Sequence, residues 1–236
     1  MRTNRQTLLS ILSFSLIVGC TGSADPEPCD SGDCGDDTQA SVNEARDLIA
    51  VGYDDDLSVN QLISVDVETA EATVLLNFGF DVGWWWPGVA SDSEAGVIYC
   101  VSGGDSLYRI AMDGSDVEIV GTLSDNMQAM DVGPDGLIGI GYNDASGFNV
   151  LRTVDTDTAE VSNVTSFQFD SGKWEVFVMN DNEAGELFAT SSDHTLYRLQ
   201  MDGSAVDIMG QYEGHVYMGM GADGLSGLNY NEETDE

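Results

Sequence analysis

Basic residues are scarce in this chain of 236 residues. Lys and Arg together number 7 against 42 Asp and Glu, which gives a formal net charge of −35. Proteins that bind nucleic acids neutralise phosphates with Lys and Arg, so a chain this acidic is not expected to bind DNA or RNA. The same charge argues against a basic patch that would hold the chain on anionic lipid.

Proline, histidine and long apolar runs are also rare. The chain has 4 Pro and 2 His, and no apolar run reaches the roughly twenty residues of a membrane-spanning helix. His194 and His215 lie on different predicted loops, and the sequence lacks a nucleophile elbow, a His-Glu-x-x-His motif and a phosphate-binding glycine loop. No catalytic constellation is predicted, although 42% apolar residues suffice for a packed core.

Residues 1–19 have the features of an export signal. Two arginines precede a short apolar stretch, which is too short to stay in a bilayer as a helix. The stretch ends in Leu16-Ile17-Val18-Gly19-Cys20, which resembles the lipobox of bacterial lipoproteins. The resemblance implies cleavage before Cys20 and a lipid on its sulfur, and therefore a membrane partner at the outer membrane or periplasmic face of the cell envelope. The alternative is an ordinary secretory signal followed by an incidental cysteine.

Residues 20–45 are predicted to be a disordered acidic tether, because they have almost nothing apolar to bury in return for ordering. Cys29 and Cys34 lie five residues apart in this tether, which fits a local disulfide or two free thiols in an exported protein. A metal site would need two further soft ligands nearby. Cys100 lies in an apolar run and is predicted to be a buried thiol.

An internal repeat determines the predicted architecture. When the sequence is shifted by 89 residues, residues 47–121 align with residues 136–210 without a gap. Leu107-Tyr108-Arg109, for example, aligns with Leu196-Tyr197-Arg198. This self-similarity indicates a tandem duplication, and it predicts two units at 47–135 and 136–223.

Each unit divides again into two sets of four short apolar runs. One set is predicted at 96–101, 107–112, 117–123 and 127–132, with Asp113-Gly114 as a hairpin turn. Four antiparallel strands repeated about every 45 residues are typical of a β-propeller blade. The predicted fold class is therefore all-β: a β-propeller-like domain at 46–231 with about four blades of four strands, followed by an acidic tail at 232–236.

The repeated segment from Leu107 to Ser115 resembles the second strand of YWTD-type and TolB-like propeller repeats. This resemblance covers the repeat core and implies the fold alone. Residues 223–230 repeat the segment from Asp135 to Tyr142 and add a surplus C-terminal strand. Three explanations stay open: the strand helps to close the ring with the N-terminal strand, a second chain completes the ring, or the chain descends from a longer propeller.

Acidic residues recur in two kinds of loop, labelled B–C and D–A when strand A is taken as nearest the axis. A ring of carboxylates on that face would attract Ca²⁺, which takes many oxygen ligands. Aspartate is also the preferred residue of tight turns, which is the simpler explanation. The candidate metal ligands, one in each B–C loop, are Asp66, Asp113, Asp155 and Asp202.

Trp84-Trp85-Trp86-Pro87 is the other unusual segment. Trp85 aligns with Trp174 in the second unit, so it is predicted to pack between blades. Trp84 and Trp86 have no aromatic counterparts. They are candidates for stacking against a sugar or peptide ligand, with core packing as the alternative for at least one of them.

Arg109, Arg152 and Arg198 lie on strands where pairing with a carboxylate across the sheet is expected. The sequence as a whole predicts a lipid-anchored, extracytoplasmic β-propeller that acts as a binding or scaffold module for an unknown protein, peptide or glycan. The alternative is a calcium-dependent hydrolase, because this fold resembles propeller lactonases and phytase-like enzymes that use carboxylates with calcium.

Overall fold

The computed structural model describes residues 15–17, 48–54, 57, 59–79, 88–167, 178–181, 184–191, 193–212, 215–221 and 224–230. Every regular element within these ranges is a β-strand. Among the described residues there is accordingly no helix long and apolar enough to cross a membrane.

The strands form four antiparallel sheets of four strands, which are the blades of a four-bladed β-propeller. Blade 1 contains β1 (Ser15–Ile17), β2 (Leu48–Asp54), β3 (Val59–Val65) and β4 (Ala72–Asn77). Blade 2 contains β5 (Val89–Asp92), β6 (Val97–Val101), β7 (Ser106–Ala111) and β8 (Val117–Thr122). Blade 3 contains β9 (Ala129–Gly133), β10 (Gly136–Asn143), β11 (Phe148–Val154) and β12 (Val161–Ser166). Blade 4 contains β13 (Val178–Asp181), β14 (Glu186–Thr190), β15 (Thr195–Gln200) and β16 (Val206–Gln211).

The first strand of each blade is the inner strand. β1 contacts β5, β5 contacts β9, and β9 contacts β13, so these strands line the centre of the propeller. The fourth strands lie at the outside and are largely exposed, as in β8 and β16. Each blade has a register irregularity between its third and fourth strands, for example between Leu107 and Tyr108 in blade 2 and between Leu196 and Tyr197 in blade 4.

Within the part of the chain that the structure describes, three hydrophobic cores join successive blades, because each twisted sheet buries its faces only against its neighbours. The core between blades 1 and 2 and the core between blades 3 and 4 use residues that are repeat partners, 89 positions apart. The first contains Val51, Leu62, Phe78, Ile98, Cys100, Tyr108, Ile110 and Met112. The second contains Ile138, Ile140, Leu151, Phe167, Leu187, Ala189, Tyr197 and Leu199. The core between blades 2 and 3 contains Ala90, Tyr99, Val101, Leu107, Leu123, Met127, Met130, Leu137, Val154 and Ala159.

The strand sets predicted from the sequence are out of phase with the blades by one strand. The predicted set that ends at 127–132 assigns that segment to the outside of blade 2, whereas β9 is the inner strand of blade 3. The local pattern could not settle this, because successive strands follow each other at similar spacing whichever strand is counted first. The acidic loops named B–C and D–A in the prediction are therefore the turns between third and fourth strands and between first and second strands.

The surplus C-terminal strand predicted at 223–230 is present after blade 4, in a sheet of two strands. It contains β17 (His215–Gly221) and β18 (Gly224–Tyr230). Gly221 pairs with Gly224, as Gly133 pairs with Gly136 between β9 and β10. β17 also contacts β13, so this sheet repeats the first half of a blade.

Candidate functional site

The four aspartates predicted as metal ligands lie one in each blade, in the turn between the third and fourth strands. In blades 1 and 3 the turns at Asp66 and Asp155 close through backbone hydrogen bonds from Ala70 and Ala159, at 2.8 and 2.9 Å. Both alanines have left-handed backbone angles, with φ of 57° and 59°. The Asp side chains accept further hydrogen bonds from the turn backbone, including 2.7 Å from the Thr69 amide to Asp66.

The turns of blades 2 and 4 are a second matched pair. The Ser115 amide donates to Asp113 Oδ1 at 2.9 Å, and the Ser204 amide donates to Asp202 Oδ1 at 2.8 Å. Gly114 follows Asp113 with φ of 74°, a left-handed conformation that glycine adopts without strain. These aspartates therefore serve as turn residues.

Hydrogen bonding lowers the pKa of all four carboxyls. The largest contribution comes from the Thr69 amide for Asp66, and from the side chains of Ser115, Thr158 and Ser204 for Asp113, Asp155 and Asp202 respectively. Adjacent strands lie about 4.8 Å apart, so turns at the outer ends of different blades do not converge on the axis. In the described part of the chain, no three His, Cys, Asp or Glu residues form a group that could hold a metal ion. The calcium site on these aspartates stays a prediction.

Several other sequence predictions fall outside the described residues. The lipidation site Cys20, the tether cysteines Cys29 and Cys34, and the ligand candidates Trp84 and Trp86 all belong to this group. Cys100 is described: it is fully buried, and burial raises the pKa of its thiol to about 12. The prediction of a buried core thiol at this position is confirmed.

Two of the three strand arginines make the predicted cross-strand pairs. Arg109 Nη2 lies 2.5 Å from Glu118 Oε2, and Arg198 Nη2 lies 2.9 Å from Asp207 Oδ2. Both arginine side chains are about one-third exposed, at 36% and 37%. These pairs stabilise the outer half of a blade and define no ligand site.

Arg152 departs from this arrangement. It is 1% exposed and directly follows the register irregularity of blade 3, as Tyr108 and Tyr197 do in blades 2 and 4, whereas Arg109 and Arg198 lie one residue further along their strands. Its Nε donates to Asn163 Oδ1 at 3.0 Å, and its Nη1 donates to Asn126 Oδ1 at 3.0 Å and to the Asn126 carbonyl. Its Nη2 lies 3.3 Å from Asp125 Oδ1. Burial lowers the pKa of Arg152, and the nearby Asp125 partly opposes this shift.

Two glycines make room for the buried guanidinium. Arg152 pairs with Gly139 on β10, where the equivalent residues in blades 2 and 4 are Cys100 and Ala189. A Cβ added at Gly141 would lie 2.1 Å from Arg152 Nη1. With no side chains at these positions, the arginine extends along the sheet to the connection between β8 and β9 instead of across to an outer carboxylate.

A polar cleft lies above this arginine, between blades 2 and 3. It has a volume of about 370 Å³ and is lined by Asp105, Leu123, Ser124, Asp125, Asn126, Tyr142, Asn143, Asp144 and Ala145. Three connections form its walls: β6 to β7 in blade 2, β10 to β11 in blade 3, and β8 to β9 between the two blades. Connections alternate between the two faces of the propeller, so this cleft, called here the Asp125 cleft, lies opposite the Asp66 and Asp155 turns.

Asp131 is a half-buried polar group on the inner strand β9. Its Oδ2 accepts a hydrogen bond from the Asn180 amide of β13 at 2.9 Å, and the Asn180 side chain donates to the Val132 carbonyl. Burial raises the pKa of Asp131, although hydrogen bonds from the Asn180 and Val132 amides oppose the shift. These hydrogen bonds connect the inner strands β9 and β13 near the centre of the propeller.

The sequence analysis missed the Asp125 cleft. It treated Arg152 like the other two arginines and placed the functional loops on the opposite face. One signal was available, since Arg152 occupies the position of the core residues Tyr108 and Tyr197, and Gly139 opposite it has no side chain. A missing side chain opposite a long cation predicts that the cation turns inward.

Comparison with solved structures supports the β-propeller fold. A chain of the nidogen/laminin complex superposes with a TM-score of 0.60 at 12% identity, over 79% of this chain and 69% of that chain. A structural genomics protein of unknown function from Bacteroides thetaiotaomicron gives 0.52 at 14% identity, over 75% and 44%. An oligogalacturonate lyase in complex with manganese gives 0.50 at 16% identity, over 71% and 51%. At these identities the likeness concerns the fold alone.

No family model matches the sequence, and no curated protein matches it.

Proposed function

We propose that this chain is a lipid-anchored, extracytoplasmic β-propeller that acts as a binding module, and that the Asp125 cleft binds cationic ligands such as a basic peptide segment. The observation that carries the proposal is the arrangement of Asp105, Asp125 and Asp144. Three connections from two blades place these exposed carboxylates around one cleft.

Electrostatics favours a cation in this cleft. Arg152 below the cleft is compensated by Asp125 at 3.3 Å, and the exposed Asp105 and Asp144 add two further acidic side chains to its lining. The rest of the chain adds to the negative potential, because its net charge is −35. A field of this sign raises the local concentration of cations and the rate at which they associate.

The test compares two double variants with the same charge change. Asp105→Asn with Asp144→Asn alters the cleft, and Asp66→Asn with Asp155→Asn alters exposed turns on the opposite face. Calorimetric titration with a tetralysine peptide is expected to show at least a tenfold loss of affinity for the cleft variant and less than a twofold loss for the control. Equal losses would mean that only the overall charge attracts the peptide.

The lipid anchor rests on the sequence from Leu16 to Cys20. Replacement of Cys20 by Ala is expected to abolish incorporation of a radiolabelled fatty acid and to move the protein from the membrane fraction to the soluble fraction. Retention of the label in the variant would overturn the anchor.

The alternative function, a calcium-dependent hydrolase, gains no specific observation from the described residues. It stays a prediction from the sequence. Calorimetry with Ca²⁺ before and after chelation tests it, since binding would release or absorb heat and would raise the melting temperature.

A further inference from the structure

A second cavity lies at the outer end of the interface between blades 3 and 4. It has a volume of about 360 Å³ and opens between the end of β12 and the outer strand β16. Phe167 and Tyr197 form its floor, and both belong to the blade 3–4 core with at most 6% exposure. Ile208 lies at its rim and is 72% exposed. The cavity therefore joins an aromatic floor to an exposed apolar strand.

The duplication provides a matched site between blades 1 and 2. Of the nine described residues that line the cavity, six are identical in their repeat partners. The other three are smaller in the second unit: Thr165, Ser166 and Ala205 replace Leu76, Asn77 and Asp116. Every difference between the two sites therefore removes side-chain atoms from the site between blades 3 and 4.

Leu76 shows what fills this space in the first unit, since it packs against the blade 1–2 core. The neighbouring turns also differ. A Cβ added at Gly114 would lie 3.1 Å from the backbone carbonyl oxygen of Leu75, so the blade 2 turn lies directly against β4. A Cβ added at Gly203 would first meet side-chain atoms, with Thr165 Cγ2 at 2.8 Å. The Thr165 side chain separates the blade 4 turn from the backbone of β12, and the cavity lies beside it.

β16 presents a backbone edge along this cavity. It is the last strand of blade 4, and no described strand pairs with its outer side. All six of its residues are exposed. Such an edge is a template for one more strand. Neighbouring side chains point to opposite faces of a sheet, so Ile208 faces the cavity while Asp207 faces the other side, where it pairs with Arg198.

Charge determines which kind of strand this edge favours. A second copy of this chain would bring like charge to a molecule of net charge −35. Asp207 has 56% of its side chain exposed, and it favours Lys or Arg on an adjacent strand. If an added strand places an apolar residue in the cavity, the two residues beside it lie on the face of Asp207. The sequence that fits is therefore basic, apolar, basic.

We propose that the outer edge of β16 and the cavity beside it bind an extended peptide segment in which one large apolar side chain is flanked by Lys or Arg. The apolar side chain occupies the cavity over Phe167 and Tyr197. The peptide backbone pairs with β16, and the basic side chains lie on the same face as Asp207. The site shares no described residue with the Asp125 cleft, so it stands independently of the function proposed above.

The probe is a fluorescein-labelled, C-terminally amidated pentapeptide with the sequence Thr-Lys-Phe-Lys-Thr. It is titrated with the protein while its fluorescence anisotropy is recorded. Two control peptides keep its charge. One has Ala in place of Phe and cannot fill the cavity, and the other has methylated backbone nitrogens and cannot pair with β16. Both controls are expected to bind at least tenfold more weakly than the Phe peptide.

Thr165→Leu restores the residue of the first unit and fills the cavity without a change of charge. It is expected to weaken binding of the Phe peptide at least tenfold. Ile208→Ala and Ile119→Ala are a matched pair, because they lie at equivalent positions in blades 4 and 2 and are both exposed, so neither change should unfold the protein. A loss of at least fivefold is expected for Ile208→Ala and less than twofold for Ile119→Ala.

Four results would overturn the proposal: no saturable binding of the Phe peptide at about 1 mM, equal binding of either control peptide, unchanged affinity in Thr165→Leu, or equal losses for the two isoleucine variants. If Thr165→Leu does not fold, the isoleucine pair decides. Asp105→Asn with Asp144→Asn should change the affinity less than threefold. Loss of binding in that variant would assign the peptide to the Asp125 cleft and overturn the site at β16.

Discussion

Arg152 Nη2 lies 3.3 Å from Asp125 Oδ1, but the arginine side chain is 2% exposed and the aspartate side chain is 48% exposed. The pair therefore joins the interior of blade 3 to the solvent in the Asp125 cleft. A buried guanidinium needs most of its donors satisfied, and Asn126 and Asn163 provide the remaining acceptors.

Replacement of Arg152 by Ala is expected to destabilise the protein by about 2–4 kcal/mol, because the packing of a buried side chain and its hydrogen bonds to Asn126 and Asn163 are lost together. Arg109→Ala is the matched control. It removes an exposed ion pair on the third strand of blade 2 and should cost less than about 1 kcal/mol. Urea denaturation of both variants measures the difference, and similar losses would contradict the structural role given to Arg152.

Gly141→Ala tests the space around the guanidinium. The added Cβ would lie 2.1 Å from Arg152 Nη1 and 2.3 Å from the Asn126 carbonyl oxygen. A loss of more than about 2 kcal/mol is expected, as for other substitutions that overpack a buried site. Gly103→Ala, where no described residue lies within 4 Å, should change stability by less than about 0.5 kcal/mol.

Asp131 makes stability depend on pH in one direction. Because burial raises its pKa in the folded state, the protonated form is favoured on folding, and stability falls as pH rises from the unfolded pKa through the folded pKa. Asp131→Asn does not titrate in this range. The stability of the variant relative to the natural chain should therefore increase with pH over that interval, as measured by denaturation at several pH values.

The four turn aspartates act in the opposite direction. Hydrogen bonds lower their pKa in the folded state, so the stability they contribute is present above the unfolded pKa and is lost as pH falls through the folded pKa. The double substitution Asp66→Asn with Asp155→Asn should make the melting temperature fall less steeply as the pH is lowered into the acid range. An unchanged profile would show that these turns contribute nothing to acid sensitivity.

Cys100 is expected to resist thiol reagents in the folded protein, because it is fully buried and its pKa is about 12. Labelling should follow the rate at which the protein unfolds, which mass spectrometry can measure. Cys100→Ala should cost only about 1 kcal/mol, because the equivalent position in the blade 3–4 core is already Ala189.

The repeat made the fold predictable from the sequence. Short apolar runs, Asp-Gly turns and the 89-residue shift gave the strands and the number of blades. The sequence could not give the phase of the strands, because the choice of inner strand depends on contacts between sheets. β9 illustrates this point, since it looks like the end of one unit and forms the centre of the next blade.

The candidate site was less accessible to prediction. The type and spacing of the four turn aspartates predicted a metal site on their own face of the propeller. The Asp125 cleft depends instead on three connections that are distant in sequence, and on a cation whose direction is set by Gly139 and Gly141. Reading the two units side by side at Arg152 and its partners would have identified the exception.

The phase of the strands also determines how the duplicated halves are connected. β9 belongs to the first half by sequence and to the first sheet of the second half by hydrogen bonding. It therefore joins the two halves through backbone hydrogen bonds to β10. A backbone cut after Asp135, in the turn between β9 and β10 of blade 3, would leave two fragments that stay associated through this strand pair, so this propeller should tolerate being split there better than between two blades.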